Sequence, residues 1–141
     1  MIKRMNYKII GKYIKELNFN IPNPEAFFLL SKNISNYKIK IDIKSSQVKK
    51  NILEVYIALA LNPVKENFEK INTKIVYSII VEISSTIDKK EAEKIILVDV
   101  PTKIYSDLRL IFVFLFERSG FKDVKINEIV DFEKLYELRK V

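Results

Sequence analysis

Seven consecutive apolar residues, Leu110 to Phe116, sit inside a segment opened by Pro101 and closed by Gly120. Proline suits the first turn of a helix, where its missing N–H would have no acceptor. Glycine suits the position just past the end, where the chain turns left-handed. The spacing predicts a helix from about Thr102 to Ser119. A surface helix of a small domain shows one apolar stripe and one polar face, yet the two turns before Glu117 are apolar all round. One small sheet covers one side of such a helix and leaves the other for a partner subunit. The run falls short of the ~20 residues that span a bilayer, and Asp107 and Arg109 precede it. The sequence therefore predicts an oligomer built through Leu110, Phe112, Val113, Phe114 and Phe116.

The 141 residues contain no cysteine, no histidine and two glycines, Gly11 and Gly120. That removes thiolate chemistry, the usual general base, the commonest zinc ligands and any glycine-rich phosphate cradle. Glu82, Asp99 and Asp107 form no paired carboxylate motif. No enzyme, cofactor or metal site is expected. The basic start Met1–Arg4 runs into polar residues without the apolar core of a secretory signal, and a cytoplasmic location is expected.

Charge is unevenly placed. Lys and Arg number 25 against 18 acids, a net +7, and residues 1–50 hold 11 of them against three acids. Such a half can attract nucleic acid, anionic lipid or an acidic protein, or can be a solvated lysine-rich face. Lysine predominates, whereas bidentate phosphate and base recognition favours arginine.

The first half alternates with period two, the mark of strands. Tyr13, Leu17, Phe19 and Ile21 alternate with Ile14, Glu16, Asn18 and Asn20, until Pro22-Asn23-Pro24 stops the strand. Ile39, Ile41 and Ile43 give a second strand, and Ser45 to Asn51 reads as a turn. Leu53 to Leu61 and Ile75 to Ile83 give a third and a fourth, whose opposite face carries Tyr56, Ala58, Ala60, Val76 and Ile80. That is less polar than a solvated sheet face. Between strands one and two, Phe27, Phe28, Leu29 and Leu30 either plug the end of the core as a short helical turn or present a greasy surface.

The second half reads as helices. Asp88 caps a helix from Lys89 to about Val98. Pro101 breaks it, the apolar helix follows, and Asp131 caps a last one from Phe132 to about Arg139. Strands first and helices later mean α+β, with four antiparallel strands and helices packed on one face. One domain spans residues 1–141, with 1–12 as an N-terminal extension.

In this order the motifs resemble the SecB family of export chaperones. Tyr13-Ile-Lys-Glu-Leu-Asn-Phe19 is similar to that family's first strand, and Pro22-Asn23-Pro24 with Phe27 or Phe28 to its crossover. Ser45-Ser46-Gln47 and Glu54-Val55 follow its second turn and third strand. Val100-Pro101-x-x-Ile104-Tyr105-x-x-x-Arg109 resembles its helix start. Gly120-Phe121 and Asp131-Phe132-x-x-Leu135-Tyr136 complete the carboxy-terminal signature. Val100 and Ser106 depart from the family's cysteine and second proline, the Asn62–Thr73 hairpin is longer, and the chain is basic where the family is usually acidic.

The resemblance implies an ATP-independent holdase for unfolded, export-bound polypeptides that delivers them to the motor SecA. It also implies a SecB-like fold assembled as a homotetramer, a dimer of dimers. Positions matching the client groove are Phe27, Phe28, Ile39, Ile41, Ile104, Tyr105, Leu108 and Phe132, of which Ile41 and Leu108 also read as core. Glu16 matches an acidic residue of the SecA-facing surface, whose next acid is replaced by Asn20. A solitary SecB-like chaperone serving other clients or a toxin–antitoxin pair is a variant of this reading. The rival is a basic nucleic-acid-binding domain that stacks bases on Tyr13, Tyr37 and Tyr56 among lysines.

Overall fold

A computed structural model describes residues 6–34, 37–63, 72–121, 126 and 129–139. Four long strands form one antiparallel sheet: β1 (Tyr7–Asn20), β2 (Tyr37–Lys49), β3 (Ile52–Pro63) and β4 (Asn72–Ile83), in spatial order β1-β4-β3-β2. Helix α1 (Pro24–Asn33) crosses between β1 and β2. After β4 come α2 (Lys89–Lys94), a π turn (Ile95–Asp99), α3 (Val100–Arg118) and α4 (Phe132–Arg139).

The period-two pattern builds a two-faced sheet. Val55, Ile57, Leu59 and Leu61 on β3 and Ile75, Tyr77, Ile79 and Val81 on β4 are buried beneath the helices. From α3 come Val100, Ile104, Tyr105, Leu108, Phe112 and Phe116, all buried in the same core. These six recur at three- and four-residue spacing, so they share one face of α3. Two contacts lay α3 alongside β1: Lys12 Nζ lies 3.1 Å from Asp107 Oδ2, and the Phe19 and Phe116 rings meet edge-on at 4.9 Å.

Several expectations shift. The strand assigned to Tyr13–Ile21 begins at Tyr7, so Tyr7 to Lys12 are paired with β4 and are no extension. Register breaks between Ile9 and Gly11 and between Ile14 and Glu16. A bulge inserts one residue and reverses the alternation beyond it. Ile14, opposite Tyr77, therefore shares a face with Leu17, opposite Ile75, while Tyr13 stands opposite Ser78 on the other side. Strand β2 continues through the predicted turn to Lys49 and reverses only at Lys50-Asn51, where Asn51 has φ 66°. Asparagine tolerates that left-handed conformation.

The crossover is a helix of three turns. The Asn23 side chain accepts a hydrogen bond from the Ala26 N–H at 2.8 Å, and Pro24 starts α1. The expected break at Pro101 is absent. An α-helix would require an N–H at residue 101 that proline lacks. The helix widens instead: the Val100 N–H reaches back five residues to the Ile95 carbonyl, and the Thr102 hydroxyl donates to the Val98 carbonyl at 2.6 Å. A π turn accommodates such a mismatch without ending the helix. Gly120 has φ 96°, as its position past the end of α3 requires. Asp88 and Asp131 cap α2 and α4 through the N–H groups of Glu91 and Lys134. Residues 64–71, most of the long hairpin, lie outside the described residues.

Candidate functional site

Helix α4 docks through two of its four apolar residues. Phe132 and Tyr136 are buried, and the Phe132 ring meets Tyr105 edge-on at 5.9 Å. Leu135 and Leu138 point outward, 44% and 66% exposed. Arg109 Nε donates to the Ile126 carbonyl at 3.1 Å and ties the incoming chain to α3. Lys94 and Glu133 form a long ion pair at 3.8 Å between α2 and α4.

Between α4, the π turn and the outer strand β2 lies an open groove of about 280 Å³. Ile41 and Ile43 of β2, Leu97 of the π turn, and Leu135, Tyr136 and Leu138 of α4 line it. Among the described residues every lining side chain is aliphatic or aromatic, which suits apolar binding by area with little sequence selection. The extra residue of the π turn re-aims the helix just where Leu97 contributes.

A second apolar surface lies on α1. Ala26 and Leu30 are buried, whereas Phe28 and Leu29 are 68% and 53% exposed. Phe27 faces inward, with its ring centroid 4.9 Å from that of Phe121. Its edge lies 3.3 Å from where a Cβ on Gly120 would sit. Leu97 just precedes α3 and Gly120 just follows it, so the two surfaces lie toward opposite ends of that helix, about 28 Å long at 1.5 Å per residue.

The positions assigned to client binding scatter. Ile41 lines the groove and Phe28 is exposed, while Phe27 and Ile39 are half-buried. Ile104, Tyr105, Leu108 and Phe132 are buried in the protomer core, because the three α3 residues face the sheet and α4 seals Phe132. These four have no access to an external ligand in this conformation. Ile43, Leu97, Leu135, Tyr136 and Leu138, which complete the lining of the groove, are not among the assigned positions. A signal existed for α4, since an eight-residue helix with four apolar residues has more than one docking stripe needs. No signal in the sequence announces the π turn at Leu97.

The interface set also divides. Phe112 and Phe116 are wholly buried against their own sheet, because one face of α3 needs no partner. Leu110 and Phe114 are 62% and 54% exposed, and Val113 is half-buried.

On the opposite face of the sheet, Glu54 anchors a polar network. Its carboxylate accepts hydrogen bonds from the Ser78 hydroxyl (2.5 Å), the Tyr13 hydroxyl and Lys15 Nζ (3.0 Å). Ser78 first, then Tyr13, and then Lys15 after the opposing effect of burial, hold its pKa at about 2. Lys15 Nζ also lies 4.0 Å above the Tyr56 ring. Glu16, the position matched to SecA contact, lies on this face beside Lys74 Nζ at 3.4 Å. The stacking surface expected of a nucleic-acid binder gains no support. The Tyr13 hydroxyl is engaged by Glu54 and that of Tyr56 by Ser46, and a cation covers the Tyr56 ring. Among the described residues no helix is long and apolar enough to cross a membrane.

Comparison with known proteins bears on the same fold. The family model described as preprotein translocase subunit SecB matches residues 2–141. A candidate protein-export protein SecB of Pelagibacter ubique (strain HTCC1062) is 42% identical over 135 residues, covering 95% of this chain and 96% of that protein. The protein-export protein SecB of Anaplasma phagocytophilum (strain HZ) is 22% identical over 143 residues, covering 92% and 90%. Among solved structures, the SecB-like chaperone of Mycobacterium tuberculosis, in complex with a ChAD peptide from the HigA1 antitoxin, superposes with a TM-score of 0.56. It is 11% identical and covers 86% of this chain and 91% of that one, a likeness of fold. With the family match running nearly end to end and a relative at 42% identity, the chain belongs to the SecB family of preprotein translocase subunits.

Proposed function

We propose that this protein is an ATP-independent holdase that binds unfolded or precursor polypeptides in the cytoplasm, in protein export or as a solitary chaperone. The observation that carries this reading is the open apolar groove lined by Ile41, Ile43, Leu97, Leu135, Tyr136 and Leu138. An unfolded chain exposes apolar side chains at irregular spacing, and an unselective groove holds them by burying area. The exposed Phe28 and Leu29 of α1 offer a second holding point toward the far end of α3. A client that engages both gains from effective concentration. The work requires no bond making, and the chain has neither histidine nor cysteine to perform it.

The protein acts as a homotetramer, a dimer of dimers. Leu110 and Phe114 on the outer side of α3, with Ile14 and Leu17 on the neighbouring edge strand, are apolar and exposed in the protomer. Burial of such a surface drives association. SecA is the export partner implied by the family, with Glu16 as its point of contact. A toxin–antitoxin pair takes SecA's place in the solitary variant. Without nucleotide, the purified protein delays the aggregation of a chemically unfolded client, as read by light scattering. Failure to delay it at several-fold excess would overturn the holdase reading.

A further inference from the structure

Proline is the residue least suited to the interior of a helix, because it lacks the N–H and its ring crowds the carbonyl four residues earlier. Pro101 nevertheless stands buried inside one continuous helical run, residues 89–118, made of α2, the π turn and α3. A chain that needed only a helix there would be served by almost any other residue. The carbonyl that an α-helix would set against residue 101 is that of Leu97. Leu97 is also the residue that this run contributes to the groove.

The wide turn is braced on both sides of the proline. The Val100 N–H reaches the Ile95 carbonyl, five residues back. The Thr102 hydroxyl donates to the Val98 carbonyl at 2.6 Å. A turn closed over five residues holds one residue more than an α turn. An α spiral would absorb that surplus only by turning what precedes it through about 100° relative to α3. The buried face of α3, from Val100 to Phe116, is fixed in the core. Helix α2 has no buried residue and is held at the surface by the Asn6–Glu91 hydrogen bond and the Lys94–Glu133 ion pair. Within the turn, Ile95 and Val98 are buried and Ile96 and Leu97 half-buried. A rotation there exchanges one apolar side chain for another, so the core does not by itself dictate which of them meets β2.

We propose that Pro101 is the positioning residue of the groove. It holds the run in its π register and so keeps Leu97 in the wall with Ile41 and Ile43. Pro101 is buried and acts through Leu97. This role rests on the holdase reading and deepens it, since it names what sets the shape of the holding surface.

The probe is a fluorescent, permanently unfolded polypeptide, titrated by anisotropy against the full chain. Leu97→Ser is expected to weaken binding about fivefold, roughly 1 kcal/mol. Pro101→Ala leaves every lining residue unchanged, yet weakens binding by a similar factor. The double variant then binds no worse than either, because both changes remove the same contact. Deleting Asp99 from the Pro101→Ala chain takes out the surplus residue and makes the Val100-to-Ile95 hydrogen bond an ordinary α-helical one. That chain regains wild-type affinity to within about twofold. A proline of merely structural importance lowers the thermal melt and leaves the affinity per folded molecule unchanged. That result overturns the proposal, as do losses that multiply in the double variant or a deletion that restores nothing. Thr102→Val keeps the proline and removes the other brace, and decides the matter should Pro101→Ala not fold. It is expected to weaken binding about twofold, and unchanged affinity overturns the proposal. Leu135→Ser with Leu138→Ser is the reference. If that variant binds as the wild type does, the groove reading falls and the role of Pro101 with it. If it loses affinity while Pro101→Ala does not, the role of Pro101 alone falls.

Discussion

At the scale of single residues, Glu54 shows how a carboxylate on an open sheet face becomes structural. Three donors favour its ionised form, so its pKa falls from an ordinary 4.5 to about 2. A carboxyl more acidic in the folded than in the unfolded chain stabilises the fold fully above the unfolded value. That contribution fades as pH falls through about 4.5 toward 2. Denaturant midpoints measured across that window should fall for the wild type and fall less for Glu54→Gln. At neutral pH the substitution costs on the order of 1–2 kcal/mol, since it trades charge-assisted hydrogen bonds for neutral ones. Parallel pH profiles of the two proteins would show that Glu54 carries no such load. Gly120 is constrained twice, by φ 96° and by the Phe27 ring 3.3 Å from any added Cβ; its place past the end of the helix announces the first in the sequence, and nothing announces the second.

At the scale of elements, the sequence located the four strands and the three carboxy-terminal helices, left α1 open between a short turn and a surface segment, and misjudged where several elements begin or stop. The alternation of β2 runs on through Ser45, Ser46 and Gln47, where polar residues on both faces hide it, and ends at a two-residue turn. The β1 bulges invert the faces midway, which no period-two reading detects. Pro101 reads as a breaker because proline usually is one, yet the π turn absorbs it and thereby places Leu97 in the groove. Helix α1 separates two adjacent phenylalanines of opposite fate. Phe28→Ser with Leu29→Ser should change stability by less than about 0.5 kcal/mol each, as exposed positions do. Phe27→Ser should cost about 2–4 kcal/mol, as truncation of a packed ring does. Urea titrations decide the matter, and comparable losses in both proteins would mean that the outer side of α1 is covered.

At the scale of the whole molecule, the apolar run from Leu110 to Phe116 divides between two surroundings. Phe112 and Phe116 fill the protomer's own core, while Leu110 and Phe114 remain outside. A charge at Phe112 therefore unfolds the chain, burying an unpaired ion at a cost of several kcal/mol. Leu110→Glu with Phe114→Glu instead reduces the mass measured by light scattering and leaves the circular dichroism spectrum intact. An unchanged mass in that variant would remove α3 from the interface. The layer order of the fold was legible because burial imposes simple periods. The groove was not, because it arises where three elements meet, each contributing one to three side chains. Of the eight positions taken from the family motif, four face the protomer core, because a motif preserves position and not exposure.

The central claim is that the groove between β2, the π turn and α4 holds unfolded polypeptide. Its most direct measurement is equilibrium binding of a fluorescent, permanently unfolded polypeptide to the wild type and to Leu135→Ser with Leu138→Ser. Both leucines are exposed, so their loss leaves the thermal melt nearly unchanged. The account predicts at least tenfold weaker binding in the variant, about 1.4 kcal/mol, from lost apolar area. Undiminished affinity in a folded double variant would contradict it.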